Sequence, residues 1–226
     1  MTRVLVLVAP GEAPLPGLDD LPTTVELRTV SSESDLRRHL PQTDVLVVTD
    51  FRTDLLERCW PDEHRIRWVH ATSAGVDALM FPALRDSDVL LTNARGVFDL
   101  GIAEYVLGAV LMHAKDSLGN LALQRQQRWQ HRETALVARQ RALVIGAGSI
   151  GSEVARLLSA LDIEVIGIAR TARSAEHFSR VLASEQLDGA LPEADIVVIT
   201  APLTDATRGL INRDRLARMR SNALLV

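Results

Sequence analysis

The chain has 226 residues, 47% of them hydrophobic and 24% charged, with a formal net charge of −4. Those proportions fit a folded globular protein with room for one large or two modest domains, and they exclude a disordered chain. The negative balance argues against a nucleic-acid footprint, and no apolar run approaches the roughly 18 residues of a membrane span. Of the 25 basic residues only Lys115 is a lysine, and the arginines fall on nearly every segment without forming a stripe. Cys59 stands alone, so no intrachain disulfide can form, and a reducing cytoplasm is the expected setting. The apolar start, residues 4–9, is too short for a secretory h-region and runs into Pro10-Gly11.

Along the first hundred residues, short β-rich runs alternate with polar helical stretches. Residues 4–8, 45–49, 66–70 and 89–92 read as parallel strands, with 25–30 a weaker fifth. Residues 35–40, 53–59 and 76–84 read as the intervening helices, which gives βαβ units and a parallel sheet. A loop follows at 93–99. Residues 101–127 read as one long helix or two in tandem.

A second α/β unit begins at Arg141, and its opening carries the most chemistry. The buried run 142–145 meets Gly146-x-Gly148-x-x-Gly151, and an amphipathic helix follows with Ile150, Val154, Leu157, Leu158 and Leu161 on one stripe. Gly146 allows the tight strand-to-helix turn, Gly148 lets backbone approach a pyrophosphate, and Gly151 lets the helix pack close to the strand. The helix N-terminus around Ser149 and Ile150 would offer free N–H groups and a positive dipole end to the phosphates. Further strands at 163–168, 195–200 and 223–226 are expected to fill sheet positions two to four of a doubly wound dinucleotide fold.

Five motifs in series carry a family resemblance: "ATSAGVDAL" at 71–79, "TNARGVFDLGIAEYVLGAVL" at 92–111, Trp129, the glycine-rich segment at 143–173, and "ADIVVITAPLTDATRGLINRDRLARMRSNALLV" at 194–226. In order and spacing the chain resembles the D-isomer-specific 2-hydroxyacid dehydrogenases, which include glyoxylate/hydroxypyruvate reductases and phosphoglycerate dehydrogenases. The resemblance implies an α/β protein with a flavodoxin-like substrate domain at 1–99 and a Rossmann-type dinucleotide-binding domain at 100–226. It also implies an active site in the cleft between the two, and a homodimer formed through the cofactor domain, with helices 100–140 in the interface.

The same resemblance assigns roles. The Ser73-Ala74-Gly75 turn would hold a substrate carboxylate on the amides of Ala74 and Gly75, aided by the N-terminus of the helix expected at 76–84. Phe51 and Arg52 could line the same mouth. Ile102 would pack near the nicotinamide ring, and Glu104 reads as a partly buried, paired glutamate. Ala201, Pro202 and Leu203 would lie at the carboxyl edge of the sheet, where ligands bind in open α/β folds. Thr207 would either cap the following turn or touch the cofactor phosphates.

One departure bears on the cofactor. An acidic residue about 20 positions after the glycines normally binds the ribose 2′-OH, but Ala169 stands there, followed by Arg170, Thr171 and Arg173. Absence of a carboxylate removes repulsion toward a 2′-phosphate, and two guanidiniums and a hydroxyl offer donors. NADP(H) is therefore expected ahead of NAD, with dual use the alternative.

In this family an arginine clamps the substrate carboxylate, and a histidine paired with a glutamate exchanges a proton with the 2-hydroxyl. The arginine is expected about four residues beyond Val226, with the other two further on. The histidines present match no catalytic position, and neither a metal set nor a nucleophile pair is expected. The reading is thus an oxidoreductase that passes hydride between the nicotinamide and a small 2-keto or 2-hydroxy acid, the given segment being inactive alone. The alternative, with Val226 as the terminus, is an inactive dinucleotide-binding or corepressor-like regulator.

Overall fold

Apolar, β-branched runs bounded by turns build two parallel sheets, one in each of two units, Met1–Arg95 and Gly96–Val226. The computed structural model describes residues 1–226 except Pro14, Phe51 and Arg52 and the side chains of Asp19 and Thr53. Among the described residues, no helix is long and apolar enough to cross a membrane.

The first unit runs β1 (Thr2–Leu7), β2 (Val25–Val30), α1 (Glu33–His39), β3 (Val45–Val48), α2 (Thr53–Cys59), β4 (Trp68–Ala71), α3 (Pro82–Arg85) and β5 (Leu90–Asn93). Its strands lie in the order β2-β1-β3-β4-β5, all parallel, which is the flavodoxin-like arrangement. Leu5 and Leu7 of β1 and Leu46 of β3 are fully buried with Leu36, Leu40 and Leu56 from the helical side, and Cys59 is buried in the same cluster. Ser32 starts α1 by accepting the Asp35 amide at 3.1 Å, a side-chain cap that satisfies one of the helix's open donors.

No single helix spans residues 76–84. A 3₁₀ turn at Asp77–Leu79 is followed by the separate four-residue α3. Pro82 is the cause. It lacks an amide hydrogen, and it holds Phe81 extended at φ −69°, ψ 153°.

The second unit runs α4 (Asp99–Ala114), α5 (Ser117–Arg125), β6 (Arg141–Ile145), α6 (Ser149–Ser159), β7 (Glu164–Ala169), β8 (Arg180–Ala183), α7 (Leu187–Ala190), β9 (Ile196–Ile199), α8 (Arg213–Arg218) and β10 (Leu224–Leu225). Residues 101–127 thus hold two helices, divided where Asp116 turns to φ 45° and accepts the Gly119 amide. The sheet order is β10-β9-β6-β7-β8, again all parallel. Read from β8, this is the Rossmann order 3-2-1-4-5.

That order corrects the strand count. The third position belongs to β8, so β9 is fourth and β10 fifth. β8 escapes a periodicity reading because it is a four-residue edge strand with only Val181 buried. On one face of the sheet, Ala103, Val106, Val110 and Ala114 of α4 pack with Val154, Ala155 and Leu158 of α6. Glu104 lies off that stripe and is exposed, not partly buried as its apolar neighbourhood suggests.

Candidate functional site

The glycine-rich turn sits where the strand order reverses, between β6 and β9, the place where open α/β sheets bind ligands. Gly146 leaves β6 at φ +108°, a left-handed conformation that side chains rarely adopt. A Cβ there would lie 2.5 Å from the Ala201 nitrogen, so the turn is pressed against the start of the loop after β9. The Gly146 and Ala147 amides both reach the Ile168 carbonyl, at 2.9 and 3.2 Å, which ties the turn to the end of β7. A Cβ on Gly151 would strike the Gly146 carbonyl, so the first turn of α6 sits directly on the loop.

Gly148 differs from both. A Cβ on it would meet nothing within 4 Å, so the described residues leave that space open. It is also the N-cap of α6, and no side chain caps that helix. The amides of Ser149, Ile150 and Gly151 have no intrahelical acceptor. An uncapped helix start behind an open glycine fits a diphosphate, through free N–H donors and the positive dipole end.

At the end of β7, Ala169 is half-buried and Arg170, Thr171 and Arg173 are exposed. Arg170 makes no hydrogen bond or ion pair among the described residues. Arg173 reaches back across the site, and its guanidinium donates to the Ala147 carbonyl at 2.5 Å. On the β9 side, Ala201 is half-buried, while Pro202 and Leu203 are exposed on the loop. The Thr207 hydroxyl donates to the Pro202 carbonyl at 2.6 Å and accepts the Thr204 amide at 2.8 Å, so it closes this turn. Ile102 is half-buried near the start of α4.

One residue in this group carried no sequence signal beyond being a polar end to an apolar strand. Thr200, just after β9, donates to the Gly146 carbonyl at 2.8 Å and fixes the turn from the side opposite Arg173.

In the first unit, the Ser73-Ala74-Gly75 turn follows β4 and is held from three directions. Ser73 Oγ donates to the Gly75 carbonyl at 2.6 Å, Asn93 Nδ2 to the Ala74 carbonyl at 2.5 Å, and the Ala94 amide to the Ser73 carbonyl at 3.0 Å. The Ala74 and Gly75 amides make no hydrogen bond among the described residues and are available to an anion. The 3₁₀ turn that follows offers no helix dipole of useful length, so only these amides remain of the expected helix-assisted site. Phe51 and Arg52 lie outside the described residues.

Residues 107–226 match the model of the D-isomer specific 2-hydroxyacid dehydrogenase, NAD binding domain. The chain belongs to that family. A Streptomyces coelicolor protein, described as an uncharacterized protein in the mprR 3′ region, is 36% identical over 171 residues, covering 71% of this chain and 58% of that protein. A crystal structure of a D-isomer specific 2-hydroxyacid dehydrogenase family protein from Aeromonas salmonicida superposes with TM-score 0.83 at 25% identity, covering 100% of this chain and 72% of the other. The NADPH-dependent glyoxylate/hydroxypyruvate reductase of Sinorhizobium meliloti, solved with NADP and sulfate, gives TM-score 0.78 at 26% identity over 98% and 69% of the two chains. The chain spans little more than half the length of the first curated relatives it matches, 56% and 58%.

Proposed function

We propose that this chain forms the substrate-binding and cofactor-binding parts of an NADPH-preferring reductase that interconverts a small 2-keto acid and its D-2-hydroxy acid. The observation that carries the reading is one combination at the ends of β6 and β7. An open glycine and an uncapped α6 stand beside a β7 end that bears Ala169 and a free Arg170 in place of a carboxylate.

Gly146, Gly148 and Gly151 shape the phosphate cradle, and the amides of Ser149 and Ile150 hold the diphosphate. Arg170 and Thr171 form a basic, hydroxyl-bearing edge suited to a 2′-phosphate, where a carboxylate would repel it, and Arg173 lies beside them against the glycine-rich turn. Ile102, Ala201, Pro202 and Leu203 line the nicotinamide side, with Thr207 holding their loop. When bound, the nicotinamide supplies the reducing equivalents for the keto carbon. The amides of Ala74 and Gly75 receive the substrate carboxylate.

The family and the Sinorhizobium meliloti relative, named for glyoxylate and hydroxypyruvate, support that substrate class. The whole protein is read as a cytoplasmic homodimer, paired through the helical segment 100–140. Exposed apolar residues along that segment support the pairing: Tyr105 at 73%, Leu118 at 67% and Trp129 at 97% exposure.

The test is NADPH oxidation by the whole protein with glyoxylate, hydroxypyruvate and bulkier 2-keto acids. Turnover with at least one short 2-keto acid, faster with NADPH than NADH, is expected. Absence of turnover with every acid, alongside tight NADPH binding, would favour the inactive regulator instead.

A further inference from the structure

The two arginines after β7 are not equivalent. Arg170 has no partner among the described residues. Arg173 is committed at both ends: its amide donates to the Val181 carbonyl at 3.2 Å, in an isolated antiparallel bridge to β8, and its guanidinium donates to the Ala147 carbonyl at 2.5 Å. A side chain anchored by its own backbone to an edge strand acts as a strap across the glycine-rich turn.

The peptide that it grips is the one that matters for a phosphate. Ala147 and Gly148 share a planar trans peptide, so the Ala147 carbonyl and the Gly148 N–H point in opposite directions. A guanidinium holding the carbonyl on one side therefore fixes the N–H toward the other. Gly148, with no side chain and no Cβ contact, has little else to set that plane, and no hydrogen bond among the described residues uses its amide.

We infer that Arg173 is a positioning residue which orients the Ala147–Gly148 peptide for the diphosphate common to NADH and NADPH, while Arg170 alone of the two arginines reads the 2′-phosphate. This inference rests on the dinucleotide reading above. It divides the pair by role: Arg170 selects between cofactors, and Arg173 supports both.

The experiment is a fluorescence titration of the chain with NADPH and with NADH, for the wild type, Arg170→Ala, Arg173→Ala and Arg173→Lys, with apo-protein melts alongside. For Arg173→Ala the account expects both dissociation constants to rise by about tenfold and by the same factor, leaving their ratio unchanged. Arg170→Ala should weaken NADPH by roughly 10- to 100-fold, as loss of a charge-assisted contact does, and leave NADH alone. Arg173→Lys keeps a donor and should recover part of the affinity for both cofactors.

A loss confined to NADPH in Arg173→Ala, or a recovery confined to NADPH in Arg173→Lys, would overturn the assignment, because Arg173 would then touch the phosphate. A lower apo melting point with both affinities unchanged would also overturn it, leaving only a structural strap. Wild type that binds neither cofactor would end the dinucleotide reading itself, and this inference with it. The first two failures leave cofactor binding intact, so the two accounts fail separately.

Discussion

Arg141 and Asp195 hold each other twice. The Arg141 amide donates to Asp195 Oδ2 at 2.9 Å, and the Asp195 amide donates to the Arg141 carbonyl at 2.9 Å. The first unit repeats the arrangement: the Arg3 amide donates to Asp44 Oδ2 and the Asp44 amide to the Arg3 carbonyl, both at 2.9 Å. In each unit the clamp joins the start of the central strand to the start of its neighbour, at the end of the sheet opposite its carboxyl edge. Replacing either aspartate by alanine leaves a strand-end amide without its acceptor. Asp44→Ala and Asp195→Ala are each expected to lower stability by about 1–3 kcal/mol in urea unfolding. Asp44→Ala should stand at the upper end, because its side chain is 7% exposed against 27% for Asp195.

Asp44 also gives the protein an acid-sensitive point. The Arg3 amide holds its carboxyl below the ordinary value against the opposing effect of burial, and Arg65 at 3.6 Å adds to the lowering. A carboxyl harder to protonate when folded than when unfolded stabilises the fold above its unfolded value. That contribution is intact above about pH 5 and fades as the pH falls through the ordinary carboxyl range toward the folded value. Asp44→Asn should therefore be less stable than wild type at neutral pH, with the difference shrinking on acidification. Urea midpoints measured across that range check it, and a constant difference at every pH would count against it.

The three motif glycines predict three different outcomes. Gly146→Ala imposes a left-handed φ on a side chain and drives a Cβ onto the Ala201 nitrogen, and should destabilise the second unit by more than about 2 kcal/mol. Gly151→Ala should also destabilise, through the Gly146 carbonyl. Gly148→Ala should melt within about 0.5 kcal/mol of wild type, because the backbone there is extended and the space is open. Its defect should appear only in cofactor affinity, for NADH as well as NADPH. Circular dichroism melts paired with cofactor titrations separate the three.

Tyr105, Leu118 and Trp129 are expected to lie between two copies, since each would otherwise leave a large apolar surface in water. Charged replacements, Tyr105→Glu and Leu118→Glu, should move the protein from dimer to monomer in sedimentation equilibrium, with no loss of secondary structure. A wild type that sediments as a monomer at micromolar concentration would contradict the pairing.

Strand and helix periods made both parallel sheets legible, because β1, β3, β6 and β9 are short apolar runs, with β6 and β9 buried almost throughout as a covered parallel sheet requires. β8 was not legible, since an edge strand with one buried residue carries no period. The apparent helix at 76–84 misled because its apolar spacing is helical while Pro82, inside it, forbids the continuous hydrogen-bond ladder. At the site, the glycines could be read directly, for each answers a backbone demand visible in the motif. Thr200 and the strap from Arg173 could not. Both act through carbonyls of the turn, and which side chain meets a carbonyl follows from strand order, not from spacing.

The turn from Gly146 to Gly151 is expected to hold a nicotinamide dinucleotide, with a preference for the 2′-phosphate. Equilibrium titration of the chain with NADPH and NADH tests it most directly, with Gly148→Ala as the paired control. Saturable binding, tighter for NADPH by about tenfold or more and lost in a Gly148→Ala protein that melts like wild type, is the predicted result. Binding of neither cofactor by well-folded wild type, or equal binding by wild type and Gly148→Ala, would contradict it.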